Sequence, residues 1–282
     1  MKRSRLFLMG VMVLVLAVAM STSGYSRDDD AGARFLSRTW QAEVNGNKLK
    51  LKVHHRLEIS ARRGDDYRTI SLQKPHFTKL KDVVITVFGP DGSPLKTYKK
   101  KDMTEACGYG SFELYTDVCI YVLSVDAPVH PFVIDYRYTL EFSSLFLWPA
   151  PRFQMDIPVE HAEYTLQVPK DFSFAYRQLG GAPPPTITSD GGKDIYVWSS
   201  DSLPALDDFP LVPPGIRPAA QVEFVPEKSK IKGHTGTATN WQTIGEFYNE
   251  LAKSCYLSEK TSLANPKTRA LDERCRSSFD SV

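Results

Sequence analysis

From residue 132 to 142 apolar and polar side chains alternate, with Ile134, Tyr136, Tyr138 and Leu140 set against Asp135, Arg137, Thr139 and Glu141. Successive side chains of a strand point to opposite faces, so a period of two describes a strand with one buried and one wetted face. Strands of this kind belong to antiparallel sheets, because parallel sheets are covered on both sides and read as continuous apolar runs. The same signal recurs from Trp40 to about Phe224, in short runs rich in Val, Ile, Tyr and Phe divided by turn formers. Asn45-Gly46 lies between residues 40–44 and the alternating Leu49, Leu51 and Val53, and predicts a tight hairpin there. Pro90-Asp91-Gly92 plays the same part between residues 83–88 and 95–98, since Pro presets its own φ and Gly accepts a positive one. Further strands are expected at 112–115, 118–125, 132–142, 162–168, 172–177 and 195–198. Many short strands with turn signals between them predict a mainly β chain folded as an antiparallel β-sandwich.

Proline excludes some stretches from the middle of a sheet, because it has no ladder donor. Pro183-Pro184-Pro185 is expected to start an edge strand, and residues 203–218 to form a long surface connection. After Val225 the pattern changes. Residues 228–239 are polar and read as a linker. Trp241, Ile244, Phe247, Tyr248 and Leu251 then recur at the spacing of a C-terminal amphipathic helix. Thr239 and Gln242 fit a capping box at its start. The stripe suits docking on a partner surface or on the sandwich itself. Residues 267–278 are a weaker, charged helix candidate.

The N-terminus bears on compartment. Lys2, Arg3 and Arg5 precede the apolar run 6–20, which has signal-peptide order and is short for a membrane span of roughly 20 apolar residues. Ala17-Val18-Ala19 offers a small-x-small cleavage site, and a cut nearer Ser26 suits the same region. The expected organisation is a signal peptide over 1–26, a β-sandwich domain over 27–226, and a linker with helical tail over 227–282. The mature chain is expected to be periplasmic or secreted, with no stable membrane span. Its net charge is +2, from 35 basic and 33 acidic residues, so no chain-wide field favours nucleic acid. Lys99-Lys100-Lys101 reads as the solvated end of a strand. The four cysteines of an exported chain can form two disulfides, with proximity favouring Cys107 with Cys119 and Cys255 with Cys275. Four separate buried residues remain the other reading.

Chemistry-bearing clusters are few. His54-His55 with Glu58 is the most tempting metal motif, yet adjacent strand residues face opposite ways and cannot chelate one ion from one side. Asp28-Asp29-Asp30 falls in an expected flexible N-terminus. No HExxH, CxxC, GxSxG or phosphate-loop spacing occurs. A nucleophilic cysteine needs a histidine base and a setting that lowers its pKa. Cys107, followed by Gly108-Tyr109-Gly110, suits a turn better, and Cys255 sits toward a helix C-terminus, where the dipole disfavours a thiolate. No catalytic, cofactor-binding or metal residue and no cofactor is expected, and the chain does not read as an enzyme.

Several pieces from Val83 to Trp241 together resemble DUF3857, a bacterial exported β-rich domain of unknown function that precedes transglutaminase-like domains. They are Val83-Val84-Ile85 leading to Pro90-Asp91-Gly92, Asp102 after the lysines, Leu114-Tyr115-Thr116-Asp117 and Ile134-Asp135-Tyr136-Arg137-Tyr138. Trp148-Pro149, Tyr164-Thr165-Leu166 with Val168-Pro169, and the helix of Trp241, Phe247 and Tyr248 continue the order. The resemblance implies a β-rich domain without an established activity, followed in its relatives by a papain-like core carrying a Cys, His and Asp. Only residues 255–282 follow the helix, and they contain no histidine, so the expectation is a truncated gene product or a fragment lacking that core. The expected role is a non-catalytic cell-envelope module binding a protein, peptide or glycan partner through edge strands or the proline-rich surface. The alternative is a truncated transglutaminase-like thiol enzyme.

Overall fold

In the computed structural model, which describes residues 31–75, 77–107, 118–127, 129–206, 219–231 and 233–256, the alternating runs become one long sheet with smaller sheets laid over it. The strands are Ala33–Asn45 (β1), Lys48–Ile59 (β2), Thr69–Lys74 (β3), Thr78–Phe88 (β4), Pro94–Lys99 (β5), Thr104–Cys107 (β6), Cys119–Ser124 (β7) and Phe132–Phe142 (β8). Val159–Pro169 (β9), Phe174–Leu179 (β10), Thr186–Asp190 (β11), Lys193–Leu203 (β12), Gln221–Pro226 (β13), Lys228–Ile231 (β14) and His234–Thr237 (β15) follow, before the helix Trp241–Tyr256 (α1). The long sheet has eight strands in the order β11-β12-β9-β1-β2-β8-β4-β5. Its neighbours are antiparallel except β1 and β9, which run parallel from Phe35 opposite Val159 to Glu43 opposite Gln167.

Parity decides which face is covered. Along β2, Leu49, Leu51, Val53, His55 and Leu57 are buried while Lys48, Lys50, Lys52, His54 and Arg56 are exposed. The inner face is covered by two small sheets, which make the second layer of the sandwich. One has the order β3-β7-β6, and its Ile70, Leu72, Tyr121 and Leu123 join the same apolar core as Leu80, Ile85 and Phe132 of the long sheet. The other pairs β10 with β13 over the β9–β12 end. There Phe224 packs 5.3 Å from Tyr164 and 5.5 Å from Trp198, and Trp148 stacks on it at 5.1 Å. Tyr164 and Trp198 are fully buried. Aromatic rings bury large areas at low rotamer cost, so truncating Trp198 to Ala would remove about 3–5 kcal/mol.

The element pattern follows the sequence closely at β8, whose bounds coincide with the alternation. The β1–β2 turn is displaced by one residue. Asn45 pairs with Lys48, so Gly46 and Asn47 form the loop, and Gly46 alone takes a positive φ, 57°, as a type II′ turn requires of its first position. Pro183-Pro184-Pro185 does lead into an edge strand, β11. The expected linker is a correction: residues 228–237 form the β14–β15 hairpin, because turn residues and short polar strands carry little periodicity. The helix is capped one residue later than expected. The Thr243 N–H donates to Asn240 Oδ1 at 2.9 Å and the Asn240 N–H donates to Thr243 Oγ1 at 3.3 Å. Its apolar stripe divides: Phe247 is buried against Phe146, while Trp241 is 87% exposed. A Cβ at Gly236 would overlap the Phe247 ring, so glycine lets β15 and α1 approach. No helix among the described residues is long and apolar enough to cross a membrane. The signal segment 1–26, Asp28-Asp29-Asp30, the strand at 112–115, most of the connection 203–218 and the helix at 267–278 lie outside the described residues.

Candidate functional site

The three features that sequence reasoning raised for chemistry are the paired histidines, the cysteines and the edge strands. The structure places the histidines as parity requires. His54 faces solvent, where its Nε2 lies 3.0 Å from the Asp135 carboxylate across the β2–β8 pair. His55 faces inward and is 5% exposed. Its Nδ1 is 3.0 Å from the Tyr136 hydroxyl, and the rings of Trp40 and Tyr136 meet it edge-on at 4.9 and 5.2 Å. The two imidazoles therefore cannot share an ion.

Arg38 lies on the same inner face, and the sequence analysis did not single it out. It is 8% exposed, lies 4.9 Å from the centres of both the Phe35 and Trp40 rings, and donates from Nη1 to the Arg152 carbonyl at 2.8 Å. Stacking and one carbonyl offset part of the cost of taking a guanidinium out of water. Burial is the largest cause that holds the His55 pKa well below the usual imidazole range, followed by the neighbouring Arg38 charge. Burial also raises the Tyr138 hydroxyl to about 12 and the Tyr136 hydroxyl further, against the pull of Arg38. All these shifts favour neutral His and Tyr side chains, which suits a polar contact set inside a core rather than a proton-transfer site. The signal for Arg38 was its parity, since it shares the inward phase of Trp40, Ala42 and Val44.

Cys107 and Cys119 sit opposite each other on β6 and β7 with Cα atoms 4.2 Å apart, and their sulfurs are bonded. The bridge occupies the thiol that a nucleophile would need. The carboxylate of Glu105 is close enough to both sulfurs to complete a metal-ligating trio in geometry, but a disulfide offers no thiolate. The proposed pairing of Cys255 with Cys275 lies outside the described side chains.

The third feature is the end of the long sheet. β11 is bonded to β12 on one side, and all five of its residues are exposed. Ile187 is 54% exposed and sits in register with Tyr196, whose ring meets Tyr176 at 6.2 Å. A two-residue turn, Gly191-Gly192, with φ 54° and 80°, returns the chain into β12. The open side of β11 thus presents backbone groups beside a partly exposed aromatic and aliphatic shelf.

Comparison with known proteins bears on this architecture. The profile of the family described as Domain of Unknown Function with solved-structure structure (DUF3857) matches residues 47–207. No curated protein matches the chain. Among solved structures, a crystal structure described as "a putative protease from Parabacteroides distasonis ATCC 8503" is 14% identical, with a TM-score of 0.58 over 71% of this chain and 41% of that one. This chain therefore spans about two fifths of that protein's length, and likeness at such identity shows the shared fold.

Proposed function

Because the chain belongs to the DUF3857 family, we propose that it is a non-catalytic binding module of the cell envelope, exported to the periplasm or secreted, which takes up an extended peptide at the open edge of β11. The observation that carries this reading is the side of β11 away from β12, which has no strand partner among the described residues, with Ile187 exposed beside Tyr196 and Tyr176. An edge strand presents a row of free N–H and C=O groups, and an added strand satisfies them while its alternate side chains fill neighbouring apolar ground. The Cys107–Cys119 bridge supports export, since disulfides persist in oxidising compartments.

The second reading is a remnant thiol enzyme, and its support is the fold shared with the protein described as a protease. It stands second because the Cys107 sulfur is held by Cys119.

The test is a selection of displayed random peptides on the full-length protein, followed by affinity measurement on Ile187→Pro and Thr188→Pro. In an antiparallel edge, consecutive N–H groups point alternately inward and outward, so one of the two prolines removes an outward donor while keeping the β12 ladder. Selected peptides should lose affinity for that variant. Peptides that bind wild type and both variants equally would overturn the assignment of β11.

A further inference from the structure

We propose that the outer face of the long sheet carries a second site, for an acidic saccharide, built around Lys52, Lys99 and Arg137. The site is independent of the β11 edge, which lies at the far end of the sheet.

A groove of about 630 Å³ crosses this face. Register fixes its floor. Thr39 is opposite His54, His54 opposite Arg137, Arg137 opposite Val84 and Val84 opposite Lys99, so one row crosses five strands. Neighbouring strands are about 4.8 Å apart, which makes the row about 19 Å long, enough for a short oligosaccharide. A parallel row carries Gln41 opposite Lys52 and Lys52 opposite Thr139. The depression opens where β4 bulges. Lys81 pairs with Thr139 and Val84 with Arg137, so Asp82 and Val83 together oppose the single residue Tyr138. Asp82 takes a φ of 53° there, a conformation that L side chains rarely adopt. Bulges of this kind bend a strand and re-aim its side chains, and they gather beside binding sites.

Charge distribution points to the ligand. Around the groove, several basic side chains have partners: Lys81 with Glu141 at 2.7 Å, His54 and Arg56 with Asp135 at 3.0 and 3.6 Å, and Lys193 with Glu43. Lys52, Lys99 and Arg137 line the groove and make no ion pair among the described residues, although Lys52 lies in the longer-range field of Glu43. Asp82 is the one carboxylate in the lining. Three uncompensated cations against one carboxylate leave a local positive field in a chain that is nearly neutral overall. Lys99 is the solvated end of a strand, as expected, and register places that end on the groove wall.

The rest of the lining selects among anions. Thr39 and Gln41 supply a hydroxyl and an amide and Val84 supplies apolar ground, while Val53 and Tyr138, whose side chains turn inward, border the groove from the backbone side; that mixture is what sugar rings present in return. The β1, β2, β8 and β4 strands are each bonded on both sides, so this face has no free ladder for a peptide.

The experiment is calorimetric titration of the full-length protein with four probes: oligogalacturonate, a phosphorylated dextran, neutral dextran, and polyglutamate of matched charge. At least one acidic saccharide should bind, neutral dextran should not, and polyglutamate should bind more weakly. Binding by the carboxylate probe alone, the phosphate probe alone, or both identifies the anion and supports the site. Lys52→Gln, Lys99→Gln and Arg137→Gln should each weaken binding about tenfold, the loss of one charge-assisted contact. Lys228→Gln, the same charge change on β14 outside the groove, should leave it unchanged. Nuclear magnetic resonance shift changes on the wild-type protein, concentrated at Lys52, Val84 and Arg137, check the location without any variant. The proposal is overturned if neither acidic saccharide binds, if polyglutamate binds as tightly, if the groove variants bind as wild type, or if the shift changes appear elsewhere.

Discussion

Asn47 in the β1–β2 turn holds Lys230 of the β14–β15 hairpin through two backbone hydrogen bonds. Its Nδ2 donates to the Lys230 carbonyl at 2.6 Å, and its Oδ1 accepts from the Lys230 N–H at 2.7 Å. The same Nδ2 also reaches the Ser143 carbonyl at 3.2 Å. This clamp ties a polar hairpin of two four-residue strands to the end of the long sheet. In Asn47→Asp the carboxylate cannot donate to either carbonyl, and stability should fall by about 1 kcal/mol. In Asn47→Ala, which also removes the Oδ1 acceptor, amide exchange at Lys230 should accelerate while the β2 and β8 amides keep their rates, since the loss is local.

His55 makes stability depend on pH. Its folded pKa is depressed by burial and then by Arg38, so below the unfolded value of about 6.5 the unfolded chain binds a proton that the folded chain refuses. Stability is therefore full above that value and falls as pH drops toward the folded pKa, by up to about 1.4 kcal/mol per pH unit. Urea midpoints measured from pH 7.5 to 5 should decline, and His55→Phe should flatten that part of the curve whatever its stability at pH 7.5.

Arg38 separates packing from charge. Arg38→Ala leaves a hole between Phe35 and Trp40 and should cost about 2–4 kcal/mol. Arg38→Met keeps the volume and removes a buried cation, so it should be close to neutral or stabilising. It should also raise the His55 pKa, because one of the charges holding that pKa down is gone. Nuclear magnetic resonance titration of His55 in the two backgrounds reads this shift directly.

The Cys107–Cys119 bridge closes a short loop on β6 and β7. Loop-closure entropy predicts that Cys107→Ala/Cys119→Ala loses about 3 kcal/mol, chiefly by freeing the unfolded chain. Equilibrium unfolding of the double variant, set against wild type with and without reductant, checks it. Equal stability with and without reductant would contradict a formed bridge.

Much of this fold is legible in the sequence where one face is buried and the other wet. Residues 132–142 reappear as β8 with the bounds their alternation predicts, although Thr139 of the outer phase is buried as well, and Leu49, Leu51 and Val53 turn inward as their parity requires. The separation of His54 from His55 follows from the same period of two. What the sequence hid depends on tertiary partners. β14 and β15 are too short and polar to show a period, and their order rests on Asn47, far away in the chain. Trp241 and Phe247 lie at opposite edges of the apolar stripe, about 120° apart on a helical wheel, and the spacing does not say which edge is covered; of the two, Phe247 finds Phe146 and the gap at Gly236. The groove of Lys52, Lys99 and Arg137 joins three strands through register and a bulge, and neither can be read from one strand alone.

The binding role at β11 is tested most directly by hydrogen exchange of residues 186–190 in the full-length protein with a selected peptide added. Strand addition predicts slowing of about tenfold or more at the outward amides of β11, with β5 at the other edge unchanged. Protection that leaves residues 186–190 untouched, or peptide cleavage by the purified chain that disappears on substituting one cysteine, would contradict it.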